Sequence, residues 1–596
     1  MNTPNAAAEG KSKYARDAWL RALAKTANLA ERGEILPEVI ERLAAEFGPR
    51  PALQDLNVSF DFRRLAGRMN QYARFAVAHG IGAGDSVALY MNNCVEYVAI
   101  WLGLTRAGAT VALLNSQLQG EVLAHSINIA TPKLLIAGAD IAPRVAAIRD
   151  KLAPQLAQFV LGELAHPSLE EAVSQFSTAP PGSDIAAPPI DAIALYIYTS
   201  GTTGMPKAAK VSHYRIMQWS HWFAGMMDTT PEDRMFNALP LYHSVGGVVA
   251  TFAPLVNGAS VVIRPRFSAS EFWRDVSTAH CTLFQYIGEL CRYLVNSPRQ
   301  DAELGHRLRL ACGNGLRPEV WSEFQARFRI PRILEYYAST EGNFSLYNCE
   351  GQVGAIGRIP KFVAARLPVA LLRFDVDAGV PVRNAQGLCE PCATDEVGEA
   401  VGRIPGGAER GGRFEGYADR EASERKVLRD VFEAGDAWYR TGDLMRRDAH
   451  GFYYFVDRIG ETYRWKGENV STAEVLSVLA GIPGVRDGVV YGVQVQGYDG
   501  RAGMAALVVD AAFDLKKFRV AAAAALPPYA RPVFLRLIGS LETTGTFKPR
   551  KQELLAAGFD PNLIQDPLYF DDARQGAYVP LDGALFQTIG SGALRL

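Results

Sequence analysis

From about residue 50 onward, short apolar runs alternate with helical stretches, and no other feature constrains the fold as tightly. Residues 86–91 read as a strand, 95–106 as a helix closed by Gly108, 110–114 as a strand, 120–129 as a helix and 133–137 as a strand again. Strands separated by single helices favour a largely parallel sheet with helices packed on its faces, an α/β fold. Residues 94–114 form the most apolar stretch, but Glu96, Gly103, Arg106 and Gly108 interrupt it. A buried helix followed by a strand therefore explains it better than a membrane span.

The chain has 596 residues, too many for one compact core, so at least two domains are expected. Composition changes near residue 457. Beyond it, apolar strands at 488–495, 504–509 and 533–538 and a helix at 515–526 suggest a small α+β domain, giving domains 1–456 and 457–596. Residues 173–190, rich in Pro, Ser and Ala, read as a surface connection. Residues 560–596 show few helix or strand signals and are expected to wrap the surface.

The 62 basic and 63 acidic residues balance to a formal net charge of −1, with no charged block. Nucleic acid is therefore not an expected partner. Seven scattered cysteines suggest reduced thiols in a cytoplasmic setting. Cys389 and Cys392 form a C-x-x-C without a second pair or a nearby histidine, so no metal or redox role is expected of them. The N-terminal residues contain no apolar signal core. Peripheral association with the cytoplasmic face of a membrane stays open.

Chemistry concentrates in Ile197-Tyr-Thr-Ser-Gly-Thr-Thr-Gly-Met-Pro-Lys207. An apolar run, 193–198, feeds directly into a loop of Thr, Ser and Gly. Glycines let backbone N–H groups approach phosphate oxygens, hydroxyls add donors, and Lys207 brings a positive charge. The spacing is not that of a Walker A loop. The string T-S-G-T-T-G-x-P-K resembles the signature of the adenylate-forming superfamily, which includes acyl-CoA synthetases, luciferases and peptide-synthetase adenylation domains. The resemblance implies that Thr199, Ser200, Gly201, Thr202, Thr203, Gly204 and Lys207 hold the β- and γ-phosphates of ATP. It also implies a large N-terminal domain of α/β subdomains with a small β subdomain, followed by a small mobile C-terminal domain.

Further stations follow in the family's order. Tyr336-Tyr-Ala-Ser-Thr-Glu-Gly-Asn343 resembles its Y-G-x-T-E motif, with Ala338 where the family usually has glycine. By that resemblance Tyr337 stacks on adenine, Thr340 bonds the α-phosphate and Glu341 carries Mg²⁺, a hard cation suited to carboxylate oxygen. Tyr439-Arg-Thr-Gly-Asp443 resembles the ribose station, where one carboxylate, Asp443, accepts both hydroxyls. Arg458 would donate to the ribose or α-phosphate region. Gly313, Asn314 and Gly315 stand where relatives carry a small loop against adenine and the acyl group; two glycines would let a ligand approach the backbone. Leu239-Pro-Leu-Tyr-His-Ser244 matches a station that puts His243 between acyl pocket and pantetheine tunnel. Thr543-Thr-Gly-Thr-Phe-Lys548 resembles the C-terminal catalytic lysine motif, with Lys548 the choice and Lys551 the alternative.

The strings Phe284-Gln-Tyr-Ile-Gly-Glu-Leu-Cys-Arg-Tyr-Leu294, Tyr463-Arg-Trp-Lys-Gly-Glu-Asn-Val-Ser471, Asp566-Pro-Leu-Tyr-Phe570 and Gly576-Ala-Tyr-Val-Pro580 resemble the fatty acid transport protein / very-long-chain acyl-CoA synthetase branch. Animal members carry an N-terminal membrane segment; none is read in these residues, so integral membrane anchoring is not expected. The branch implies a long- or very-long-chain fatty acid as substrate, ATP, Mg²⁺ and coenzyme A as its companions, a loop around Gly467 that admits pantetheine, and a hinge near Gly460. The expected reaction is AMP-forming acyl-CoA synthesis through an acyl-adenylate. A CoA ligase for another bulky acid such as a steroid acid, a carrier-protein loader, and a fatty acid uptake or binding component remain alternatives.

Overall fold

The computed structural model describes residues 4–162, 168–200, 205–376, 378–406, 412–466, 468–496, 498, 500–543 and 551–594. The chain packs into two units, Met1–Ala364 with Ile404–Val427, and Ala365–Arg403 with Leu428–Leu596.

The first unit is built on two mostly parallel sheets. One runs in the order Ala157–Leu161, Leu134–Gly138, Ser86–Tyr90, Thr110–Leu113, Ile193–Ser200 and Pro206–Ser212, parallel throughout except for the last strand, which turns back along its neighbour. The helix Val95–Arg106 is buried along its whole length. Its Gly103 lies so close to the helix Phe62–Ala78 that a Cβ would overlap the Met69 carbonyl and the Tyr72 side chain, so the missing side chain sets the helix spacing. The expected buried helix and strand over 94–114 are thus present, as is the helix Gly120–Ile129. That helix covers a core of Ala88, Ala112, Leu135 and Tyr198, and the Tyr198 phenol donates to the Ser126 carbonyl at 2.5 Å.

The second sheet has parallel central strands, Pro51–Gln54, Ser260–Ile263, Arg234–Asn237, Leu283–Ile287, Leu310–Asn314 and Ile333–Ala338, and antiparallel edges Ser59–Asp61 and Ser345–Asn348.

In the second unit, Val369–Asp375, Gly398–Arg403, Ala437–Arg447 and Phe452–Arg458 pair antiparallel. A further sheet runs Val485–Val493, Ala502–Val509, Phe534–Ile538, Leu568–Asp572 and Ala577–Pro580, and the helix Leu515–Ala525 packs Phe518 and Ala522 into its core. The segment expected to wrap the surface after residue 560 instead supplies two of these strands and the helix Gly583–Gly590. Phe570 and Tyr578 are buried against Phe534 and Phe518; each strand is too short to announce itself without the edge it completes. Packing groups 365–403 and 428–456 with the chain's C-terminal part, a different division from the one at residue 457 expected from composition. Among the described residues no helix is long and apolar enough to cross a membrane.

Candidate active site

Strand Ile193–Ser200 ends where the hydroxyl-rich loop begins, and Pro206–Ser212 leaves it, so Thr199 and Lys207 face each other in register at the mouth of a hairpin. Gly201, Thr202, Thr203 and Gly204, and the side chain of Ser200, lie outside the described residues, as do Gly467 and Lys548. A third segment extends the hairpin. The Lys210 N–H donates to the Gly416 carbonyl at 2.9 Å and the Ala418 N–H to that of Ala208 at 2.8 Å, which lays Tyr417 beside Ala209. The Tyr417 ring lies 5.8 Å from Lys207 Nζ. Its phenol donates to Glu341 Oε1 at 2.8 Å and is also hydrogen-bonded to the Thr199 side chain. Burial and the adjoining carboxylate raise the phenol's pKa, so it stays a donor.

Thr340 and Glu341 follow directly on strand Ile333–Ala338, at the carboxyl end where open α/β sheets bind ligands. Ala338, in the position where glycine was the family's habit, pairs in register with Ser345. Thr340 Oγ1 and Ser244 Oγ are 3.0 Å apart, which joins this station to half-buried His243. His243 precedes a one-turn π-helix, Ser244–Val249, a form concentrated at functional sites. Gly246 and Gly247 permit it, since a Cβ at either would overlap the carbonyls of 239–241. Beneath lies Arg215, buried, donating to the carbonyls of Thr340 at 3.1 Å and Arg413 at 2.7 Å. Glu415 stands 3.7 Å from Arg215 Nε and accepts from the Ser212 N–H and hydroxyl.

Loop 313–316 follows strand Leu310–Asn314, the parallel neighbour of Ile333–Ala338. Gly313 makes room for a side chain: a Cβ there would overlap the Tyr286 ring and carbonyl. Gly315, at φ +78°, has open space and allows close approach. Asn314 Oδ1 is buried and has no partner among the described residues. Tyr337 sits at the end of strand Ile333–Ala338, its ring 6.0 Å from that of Phe344.

In the second unit, Asp443, 7% exposed, pairs in register with Arg458, whose Nε lies 3.4 Å from Oδ1. The turn carrying Asp443 is set by Glu399, fully buried, which takes three contacts of 2.7–3.0 Å from Arg440 and accepts the Gly442 N–H. Gly460, at φ +89°, has nothing around its Cβ position. Lys551, the alternative lysine, is bonded to Glu461 at 2.7 Å. Tyr417, Arg215, Glu415, Glu399 and Glu335 were not marked by sequence reasoning; each works through partners distant in the chain, and no local pattern flags them.

A family model for AMP-binding enzymes matches residues 40–386. Long-chain fatty acid transport protein 1 of Mus musculus is 40% identical over 576 residues, covering 95% of this chain and 88% of the relative. The chain belongs to the AMP-binding enzyme family. Within it, the chain sides with the long-chain fatty acid transport proteins, the very-long-chain acyl-CoA synthetase branch. The fold of this AMP-binding enzyme matches the anthranilate CoA ligase AuaEII in complex with anthranoyl-AMP (TM-score 0.75, 20% identity, 88% of this chain and 97% of that one). It likewise matches ATP-bound MatB from Rhodopseudomonas palustris (TM-score 0.74, 23% identity, 87% and 98%).

Proposed function

We propose that this AMP-forming acyl-CoA ligase takes a long- or very-long-chain fatty acid as its substrate. The fatty carboxylate attacks the α-phosphorus of ATP, pyrophosphate leaves, and the thiol of coenzyme A then displaces AMP from the acyl-adenylate. One observation carries the reading: a single phenol, Tyr417, joins Thr199 at the mouth of the phosphate loop to Glu341. A triphosphate and the carboxylate that serves its counter-ion have to be neighbours, and this phenol makes them so. The chain-length class comes from the relatives named as long-chain fatty acid transport proteins.

The residues fit Mg²⁺. It is commonly held by one or two carboxylates together with phosphate oxygens and water, and Tyr417 engages only Oε1 of Glu341. Bound there, the ion would neutralise phosphate charge. Thr199, Lys207 and the loop between them grip the leaving pyrophosphate, and Thr340 donates to the α-phosphate. The orphaned acceptor of Asn314 suits an amine donor such as that of adenine, against which Tyr337 stacks. Asp443 accepts the ribose hydroxyls with Arg458 beside it. Lys548 answers the charge that builds on the α-phosphate in the first half-reaction. His243 lines the acyl entrance, Gly467 admits pantetheine in the second half-reaction, and Gly460 supplies the hinge that the exchange of these groups requires.

Pyrophosphate release from purified protein with ATP and Mg²⁺, scanned from octanoate to lignocerate with and without coenzyme A, tests the reading. Release that peaks with long chains and turns over only with coenzyme A is expected. Release with a steroid acid but no fatty acid would move the substrate class. The name of the relatives favours a second role in uptake, by trapping the acid as its CoA ester; full uptake by a Lys207/Lys548 double variant would separate transport from chemistry.

A further inference from the structure

Loop 313–316 is held by a carboxyl group that the proposed chemistry does not use. Glu335 is 2% exposed and lies in register with Gly313 on the neighbouring strand. Its Oε1 accepts the Leu316 N–H at 3.1 Å, and the Gly315 N–H is directed at the same carboxyl. Its Oε2 stands 2.5 Å from the Tyr286 phenol oxygen. Tyr286 comes from the strand on the opposite side of Leu310–Asn314, so its ring has to cross Gly313 to arrive, which is why a Cβ at 313 would overlap it. The titratable groups that face Glu335 are Tyr286, Cys291, Cys312 and Tyr336, each raised in pKa by burial and so neutral. The arginines of the adjoining segments, Arg292 and Arg317, pair with Glu289.

We propose that Glu335 is a positioning residue: as a neutral carboxylic acid it holds the backbone of loop 313–316 through Oε1 and shares one short hydrogen bond with the Tyr286 phenol through Oε2. The proposal rests on the loop being a wall of the nucleotide site. The Leu316 N–H meets Oε1, the Gly315 N–H is directed at the same carboxyl, and Oε2 and the phenol oxygen are within one short hydrogen bond of each other. An ionised carboxylate in the same place is a buried charge with no cation, which is strongly disfavoured. Burial without a counter-charge pushes Glu335 up to about 8, so the proton is retained through neutral pH. Because the value in the fold is raised above the ordinary glutamate range, the hold on the loop is complete at low pH. It is lost as pH climbs through that value, since the carboxylate draws in water and the loop has to open to admit it.

The test compares wild type, E335Q and E335A from about pH 6 to about pH 9, reading KM and kcat for ATP and, by calorimetry, binding of ATP alone. Glutamine is the uncharged isostere, with a carbonyl for Oε1 and an amide N–H for the acid O–H. In the wild type, KM for ATP rises above about pH 8 with kcat changed far less. E335Q rescues the low-pH KM and loses the pH step. E335A raises KM by about tenfold or more at every pH, because two buried N–H groups lose their acceptor. An E335Q enzyme that keeps the wild-type step, or binds ATP as weakly as E335A, overturns the proposal. Should E335A fail to fold, the E335Q profile decides alone. A wild type that binds ATP yet activates no fatty acid would sink the proposed substrate class and leave this comparison intact.

Discussion

The phenol of Tyr417 donates to Glu341 Oε1 at 2.8 Å across 76 positions of sequence. The Tyr417 phenol is also hydrogen-bonded to the Thr199 side chain, so one side chain ties the segment after residue 404 to both the phosphate loop and the acidic station. If that tie places Glu341, Tyr417→Phe should slow fatty-acid-dependent ATP–pyrophosphate exchange by about tenfold to a hundredfold, the worth of a hydrogen bond to a charged group. Exchange at the wild-type rate would mean that Glu341 is held by something else.

Lys548→Ala should divide the two half-reactions. Formation of acyl-adenylate is expected to fall by about a hundredfold or more, since charge builds on the α-phosphate only in that step. Thioester formation from supplied acyl-adenylate and coenzyme A should change little. Equal losses in single-turnover measurements of both steps would count against Lys548.

Gly247→Ala should destabilise the fold. The new methyl overlaps the Leu241 carbonyl, and relief requires the π-turn to unwind at a cost of about 1–3 kcal/mol. A lowered melting temperature together with a raised KM for the fatty acid is the expected pair, because His243 opens that turn. An unshifted melting temperature would show that the turn adapts freely.

Arg440→Leu should cost more than its own side chain suggests. Glu399 is fully buried, and removing its cation leaves an uncompensated charge, worth about 3–5 kcal/mol in urea unfolding. The double variant Glu399→Leu/Arg440→Leu should recover a good part of that loss. A double variant no more stable than Arg440→Leu would point to the turn at Gly442, not the ion pair, as the source.

The sequence reading succeeded where information is local. The strands and helices over 86–138 follow from apolar runs punctuated by glycine, and Gly108, at φ +92°, ends its helix as expected. The strand 193–198 and the loop at its end were equally legible, because hydroxyls and glycines crowd a strand end, whereas the returning strand Pro206–Ser212 was not marked. What escaped depends on partners far along the chain. Leu568–Asp572 and Ala577–Pro580 become strands only beside Phe534–Ile538. Arg215 reads as an ordinary third residue of a helix capped by Ser212, yet it carries the Thr340 carbonyl. That Gly313 leaves space for the ring of Tyr286, 27 positions earlier on the neighbouring strand, was not legible either.

The ring laid across Gly313 has a consequence for anyone reshaping the specificity of this enzyme. Enlarging residue 313 collides with Tyr286, and shrinking Tyr286 to make room removes the phenol from Glu335. Gly315 is committed by its backbone angle and Leu316 by the burial of its side chain. Of the four loop positions, only Asn314 is free of scaffold duty, so a library that seeks new nucleotide or acyl preferences at this wall has a single letter to vary.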